Sequence, residues 1–115
     1  MVRKKSECTV EMREHMRQGP GTVKITHFVT EEELYHHGRL FANVTLVPGA
    51  GIGYHTHEHE SEIFYILKGT ALFNDNGAEI TVHAGDVTLT GGGAGHAITN
   101  LSDEDVELAA LIIQE

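Results

Sequence analysis

The chain has 115 residues, 40% of them hydrophobic, with no tryptophan, 13 glycines and a formal charge of −9 from 17 acidic and 8 basic side chains. That length suits one compact domain and not two, no apolar run reaches the roughly 18 residues of a membrane span, and the acidic excess disfavours nucleic acid as a partner. Cys8 is the single cysteine and Met1-Val-Arg-Lys-Lys lacks the apolar stretch of a secretion signal, so a cytoplasmic setting is expected.

Along the chain, Thr9 is placed to cap one or two helical turns in which Met12 and Met16 sit four apart as packing residues, ended by Gly19-Pro20-Gly21. Residues 1–21 therefore read as a short N-terminal extension and 22–115 as the folded domain. Thr22 to Phe28 alternates, with Val23, Ile25 and His27 on one face, and Thr30 with Glu33 forms a capping-box signal for a very short helix. From Arg39 onward short β-rich runs are punctuated by Pro48-Gly49, Gly69, Asn76-Gly77 and Ala84-Gly85-Asp86. Asn-Gly between alternating runs is a strong hairpin signal, and turns at intervals of about 8–12 residues predict an all-β antiparallel sandwich or barrel.

Nine histidines are unusual for this length, and His55, His57 and His59 fall within five positions. In a strand, side chains alternate faces, so His55 and His57 point the same way, ~6.6–7 Å apart along the backbone. After four intervening residues, Glu58–Ser61, the next strand begins at Glu62, which is expected to return beside the two imidazoles as an antiparallel neighbour. His96 follows the glycine-rich segment Gly91–Gly95 and starts another strand able to deliver a third imidazole. Three nitrogens and one oxygen suit a divalent transition metal.

These residues resemble the two motifs of the cupin superfamily. The first motif is filled at every position by Gly49, His55, His57, Glu62 and Gly69, and the second by Gly85, Gly93, His96 and Asn100, with Gly91 where the pattern has proline. The resemblance runs from about Arg39 to Ile113, and the compact spacing is most similar to that of small single-domain bacterial cupins of the oxalate-decarboxylase-like kind. It implies a jelly-roll (double-stranded β-helix) barrel and a metal bound by His55, His57, Glu62 and His96. Manganese is the favoured ion, with Fe, Ni, Co, Cu or Zn as alternatives. It also implies a homodimer, to which the apolar run Val106–Ile113 could contribute.

His59 belongs to the gap between ligand positions and is expected at the pocket mouth. Glu58, Glu60 and Tyr54 are the candidates for acid–base work, although two acids in a loop are more often a solvated turn and tyrosines in strands more often pack. Strand parity aims Phe64, Ile66 and Ile98 inward as apolar pocket walls. The other five histidines are scattered and read as ordinary surface or strand residues. Three of the four arginines lie within residues 3–17, leaving Arg39 as the one on a barrel strand to hold an acidic ligand.

The leading expectation is an enzyme acting on a small carboxylate or hydroxy/keto acid by decarboxylase, isomerase, lyase or dioxygenase chemistry. The alternative is a non-catalytic module that binds a small molecule such as a sugar acid through the same metal, and the bland reading is a jelly-roll without metal.

Overall fold

The computed structural model describes residues 1–115. Ten strands follow one another: β1 (Thr9–Glu14), β2 (Thr22–His27), β3 (Gly38–Leu46), β4 (Gly51–Thr56), β5 (Glu60–Lys68), β6 (Thr70–Asp75), β7 (Ala78–His83), β8 (Val87–Gly91), β9 (Gly95–Thr99) and β10 (Val106–Gln114). They form a six-stranded sheet in the order β1-β2-β3-β10-β5-β8 and a four-stranded sheet in the order β4-β9-β6-β7. All pairings are antiparallel. No helix is long and apolar enough to cross a membrane.

The strands form where alternation was read. Val44 and Leu46 on β3, Phe64 and Ile66 on β5, and Leu108 and Ala110 on β10 point inward from the larger sheet. They meet Ile52, Ala71, Phe73, Val82 and Ile98 from the smaller one. Burying a side chain of this size is worth about 1.5–3 kcal/mol each, which ties the two sheets face to face. Asn76-Gly77 makes the β6–β7 turn with both residues at positive φ. The Thr30–Glu33 box also forms, each backbone N–H donating to the other's side chain over the single-turn helix Glu32–Leu34.

One element differs from the sequence reading. Thr9–Glu14 is a strand and not a capped helix, paired with β2 from Thr9↔His27 to Glu14↔Thr22. The segment is too short for its helical spacing to outweigh six residues of ladder, and alternation puts Val10 and Met12 on one face and Glu11 and Arg13 on the other. Met12 is exposed while Met16 turns in against the core, so the two do not pack together. Residues 1–21 thus contribute an edge strand to the same sheet as β2.

Asn100, buried at the end of β9, organises the return to β10. Its amide donates to the carbonyls of Leu46 and Glu104, and its Oδ1 accepts from Ser102. This motif position serves the fold, with no contact to the histidines.

Candidate metal centre

Two strands of the smaller sheet and one of the larger converge on a point inside the barrel. His55 on β4 sits directly opposite His96 on β9. His57 follows β4 and is clamped to the β8–β9 loop, donating its N–H to the Ala94 carbonyl and accepting at its own carbonyl from Gly93. Glu62 comes from β5 in the facing sheet. It reaches the imidazoles across the barrel interior, and not as the adjacent antiparallel neighbour that chain order suggested. His57, Glu62 and His96 are buried and His55 is nearly so.

Each imidazole is oriented through Nδ1. That of His55 donates to the Gly53 carbonyl at 2.7 Å, that of His57 donates to Glu60, and that of His96 lies 2.9 Å from the Thr90 hydroxyl oxygen. With Nδ1 of His55 and His57 committed as donor, Nε2 of each ring is the atom left to face the centre. The three Nε2 atoms face one another at 3.1, 3.1 and 3.2 Å. Glu62 Oε1 lies 2.9 Å from that of His57, 3.0 Å from that of His96 and 3.9 Å from that of His55. Three imidazole nitrogens and a carboxylate oxygen therefore converge on one buried point, a donor set that a cation would satisfy.

The distances also carry a shape. For metal–ligand bonds of ~2.1 Å, octahedral neighbours lie ~3.0 Å apart and opposite ligands ~4.2 Å apart, whereas a tetrahedron puts every pair at ~3.4 Å. Five short separations and one long one are closer to the spacing of octahedral vertices than to that of a tetrahedron. The residues present therefore fit a metal ion, and the group His55, His57, Glu62 and His96 could hold one.

Charge is arranged to match. Burial pushes the Glu62 carboxyl up, but the three imidazoles gathered around it hold it well below the ordinary carboxylate range. The Glu62 contact raises His57, while burial lowers His96. Glu60 is held at about 2 by Arg39, which donates from Nε and Nη2 to its two oxygens at 2.8 Å each. Arg39, Glu60 and His57 therefore form a chain that fixes the ring from behind.

A cavity of about 280 Å³ opens from this point. Its apolar wall includes Ile25, Val44, Ile52, Phe64, Ala110 and Ile112, and its charged wall Arg13, Arg17, His27, Glu31 and Arg39. Phe64 stacks on His96 with ring centres 4.9 Å apart and 20° between planes. Ile66 and Ile98, expected beside it as pocket walls, lie deeper in the core and do not line the cavity. Their parity is inward, but the barrel is filled at their level.

The acid–base candidates are not gathered here. Tyr54 is half exposed and lies over Gly95 on the outside of the small sheet, its hydroxyl 3.5 Å from Asn76 Oδ1. Glu58 is exposed, and Glu60 is engaged by Arg39 and His57. His59 is exposed at positive φ and pairs with Glu115 at 2.9 Å, away from the convergent imidazoles. Arg13, Arg17, His27 and Glu31 are the charged or polar lining residues that sequence reasoning missed. The alternation of Thr9–Glu14 was the signal that could have found Arg13, whereas nothing local marks Arg17.

The profile of the Cupin domain family matches residues 42–113. The chain is 43% identical over 113 residues to the Oxalate-binding protein of Thermotoga maritima, covering 98% of this chain and 93% of that protein. A crystal structure of a predicted oxalate decarboxylase from Thermotoga maritima superposes with a TM-score of 0.95 at 43% identity, covering 100% of both chains. The cupin domain of Cnp3 from Schizosaccharomyces pombe shares the fold at TM-score 0.73 and 19% identity, over 93% of this chain and 70% of that one. The family profile, a relative that is similar nearly end to end and the two-sheet barrel lead to one conclusion: the chain belongs to the cupin domain family.

Proposed function

We propose that the protein binds one divalent transition-metal ion, manganese first among the choices, through His55, His57, Glu62 and His96, and uses it to hold a small carboxylate. The observation that carries this reading is the near-octahedral spacing of the four donor atoms beside a small cavity with arginines in its wall. Three neutral imidazoles and one carboxylate leave a 2+ ion with a formal +1, which attracts an anion even in a chain of net charge −9. A bound ion supplies Lewis-acid polarisation to a ligand oxygen. The protein's own contribution is to aim the rings, exclude water with Phe64 and the β10 side chains, and present guanidiniums. Oxalate is the lead ligand, supported by its size and charge and by the name of the Thermotoga maritima relative, Oxalate-binding protein.

Binding comes ahead of turnover in this reading, because Glu58 and Tyr54 lie away from the cavity and Glu60 is committed to Arg39. Catalysis on a small carboxylate or hydroxy/keto acid is the second reading, favoured by His27 and Glu31 in the cavity wall. The test is elemental analysis of protein purified without added metal, followed by calorimetric titration with oxalate and assay of its disappearance. Near-stoichiometric metal that is lost in His57→Ala and Glu62→Gln but retained in His59→Ala is expected. Retention in Glu62→Gln together with loss in His59→Ala would show that the ligand set is wrong. Oxalate consumption by the loaded protein would place turnover first.

A homodimer is part of the proposal. Tyr65, Leu67, Val87 and Leu89 leave the outer face of β5 and β8 apolar, and Asn43 on β3 holds a buried Oδ1 with no donor. A contiguous apolar sheet face of this kind suits a second copy of the chain. Light scattering is expected to give twice the chain mass, and a monomer at tens of micromolar would contradict it.

A further inference from the structure

The N-terminal hairpin turn does more than join β1 to β2. Residues His15, Arg17 and Gln18 have φ of 50°, 53° and 65°, so three non-glycine residues in four occupy the left-handed region. Such strain persists where the surroundings impose it, and it clusters at ligand clamps. Here the surroundings are the backbone of β4. The Gly51 N–H donates to the Pro20 carbonyl at 2.9 Å, and a Cβ on Gly53 would come within 2.0 Å of the Arg17 carbonyl oxygen. A Cβ on Gly19 would lie 2.5 Å from the Gly51 carbonyl oxygen. The turn is thus seated on the strand that carries His55, and the position of Arg17 is tied to that of the metal-site donors.

The four arginines divide unequally. Arg3 is bidentate with Glu33, Arg13 pairs with Glu11, and Arg39 is bidentate with Glu60. Arg17 lines the cavity, is exposed at its mouth, and alone has no carboxylate partner. Glu31, on the same wall, leans toward His36 Nδ1 at 3.9 Å and leaves Arg17 unpaired. In a chain with 17 acidic side chains, a cavity guanidinium without one is available to a ligand. A guanidinium presents parallel N–H donors that match the two oxygens of a carboxylate.

We infer that Arg17 is the specificity residue of this cavity, binding the carboxylate oxygens that the metal does not use and so selecting dianions over monoanions. The inference rests on the proposed carboxylate site and adds which ligands it prefers and what enforces the preference.

The experiment is calorimetric titration of metal-loaded, full-length protein with oxalate and with glycolate, a monoanion of similar reach, for wild type, Arg17→Ala, Arg17→Lys and Arg17→Gly. Arg17→Ala is expected to weaken oxalate by about ten-fold or more while changing glycolate by less than about three-fold, with Arg17→Lys intermediate. Arg17→Gly is expected to lose the same selectivity with an unfolding midpoint at or above that of wild type, because glycine is at ease at this φ. Metal content is measured in each variant and is expected to stay stoichiometric. An unchanged oxalate-to-glycolate ratio in Arg17→Ala, an equal loss for both ligands, or loss of the metal overturns the assignment to Arg17. Failure of metal-loaded wild type to bind either ligand overturns the carboxylate-site reading, and this inference with it.

Discussion

Removing the metal with a chelator is expected to lower the unfolding midpoint by roughly 10–15 °C, and adding a divalent ion back is expected to restore it. A ligand that binds only the folded state stabilises it by about 2.7 kcal/mol at a hundred times its dissociation constant and about 4.1 kcal/mol at a thousand times. For a domain of this size each kcal/mol is worth ~4 °C. The structure gives a reason to expect the full effect. Without a cation, three Nε2 atoms face one another at 3.1 to 3.2 Å around the Glu62 carboxylate, with His57, Glu62 and His96 buried. Nothing in the shell relieves this by rotation, since the Nδ1 atoms are fixed by Gly53, Glu60 and Thr90. The measurement is a melting curve with and without chelator, with metal content followed in parallel. An unchanged midpoint in protein shown to have lost its metal would mean that the four side chains are held by the fold alone.

Phe64→Ala is expected to cost about 3–5 kcal/mol, the usual range for removing a buried phenylalanine ring. Phe64 is 1% exposed, stacks on His96 and meets Phe73 edge-on at 6.2 Å between ring centres. It belongs both to the core and to the metal-centre wall, so two readouts should move together. The midpoint falls, and metal affinity falls because the ring of His96 loses the surface that holds its plane. Ile98→Val is the control, since Ile98 is equally buried without lining the cavity and should cost only about 0.5–1.5 kcal/mol. Urea denaturation of loaded and stripped protein separates the two contributions. A loss under about 1 kcal/mol for Phe64→Ala, or an unchanged metal affinity, would show that the neighbours close the gap.

Much of the barrel and the identity of the four convergent side chains was legible without coordinates, because both are encoded locally. Alternation identified β2, turn-bounded β-rich runs marked β3 and β5, the apolar run Val106–Ile113 marked β10, and Asn76-Gly77 marked its hairpin. His55 and His57 share a face because of strand parity, and the motif spacing singled out Glu62 and His96. The same parity correctly turned Ile66 and Ile98 inward, yet only packing decides where a barrel is filled and where it stays open.

Everything that depends on which strands become neighbours required the tertiary structure. Glu62 follows His57 closely in sequence, but β5 joins the larger sheet, so its carboxylate arrives from across the interior. The Met12 and Met16 spacing in the N-terminal segment resembled a helix. Pairing with β2 made residues 9–14 an edge strand and turned Arg13 toward the cavity. Arg17 enters from a turn whose left-handed backbone exists only because Gly51 and Gly53 let it rest against β4. The sequence by itself determined an antiparallel β domain with His55 and His57 on one strand face, since side-chain alternation and turn chemistry act within a few residues, and the motif resemblance added Glu62 and His96. The tertiary structure alone decided the near-octahedral spacing of those donors, the commitment of Glu60 to Arg39 and the delivery of arginines from the N-terminal hairpin, because each is a contact between segments that no local rule relates.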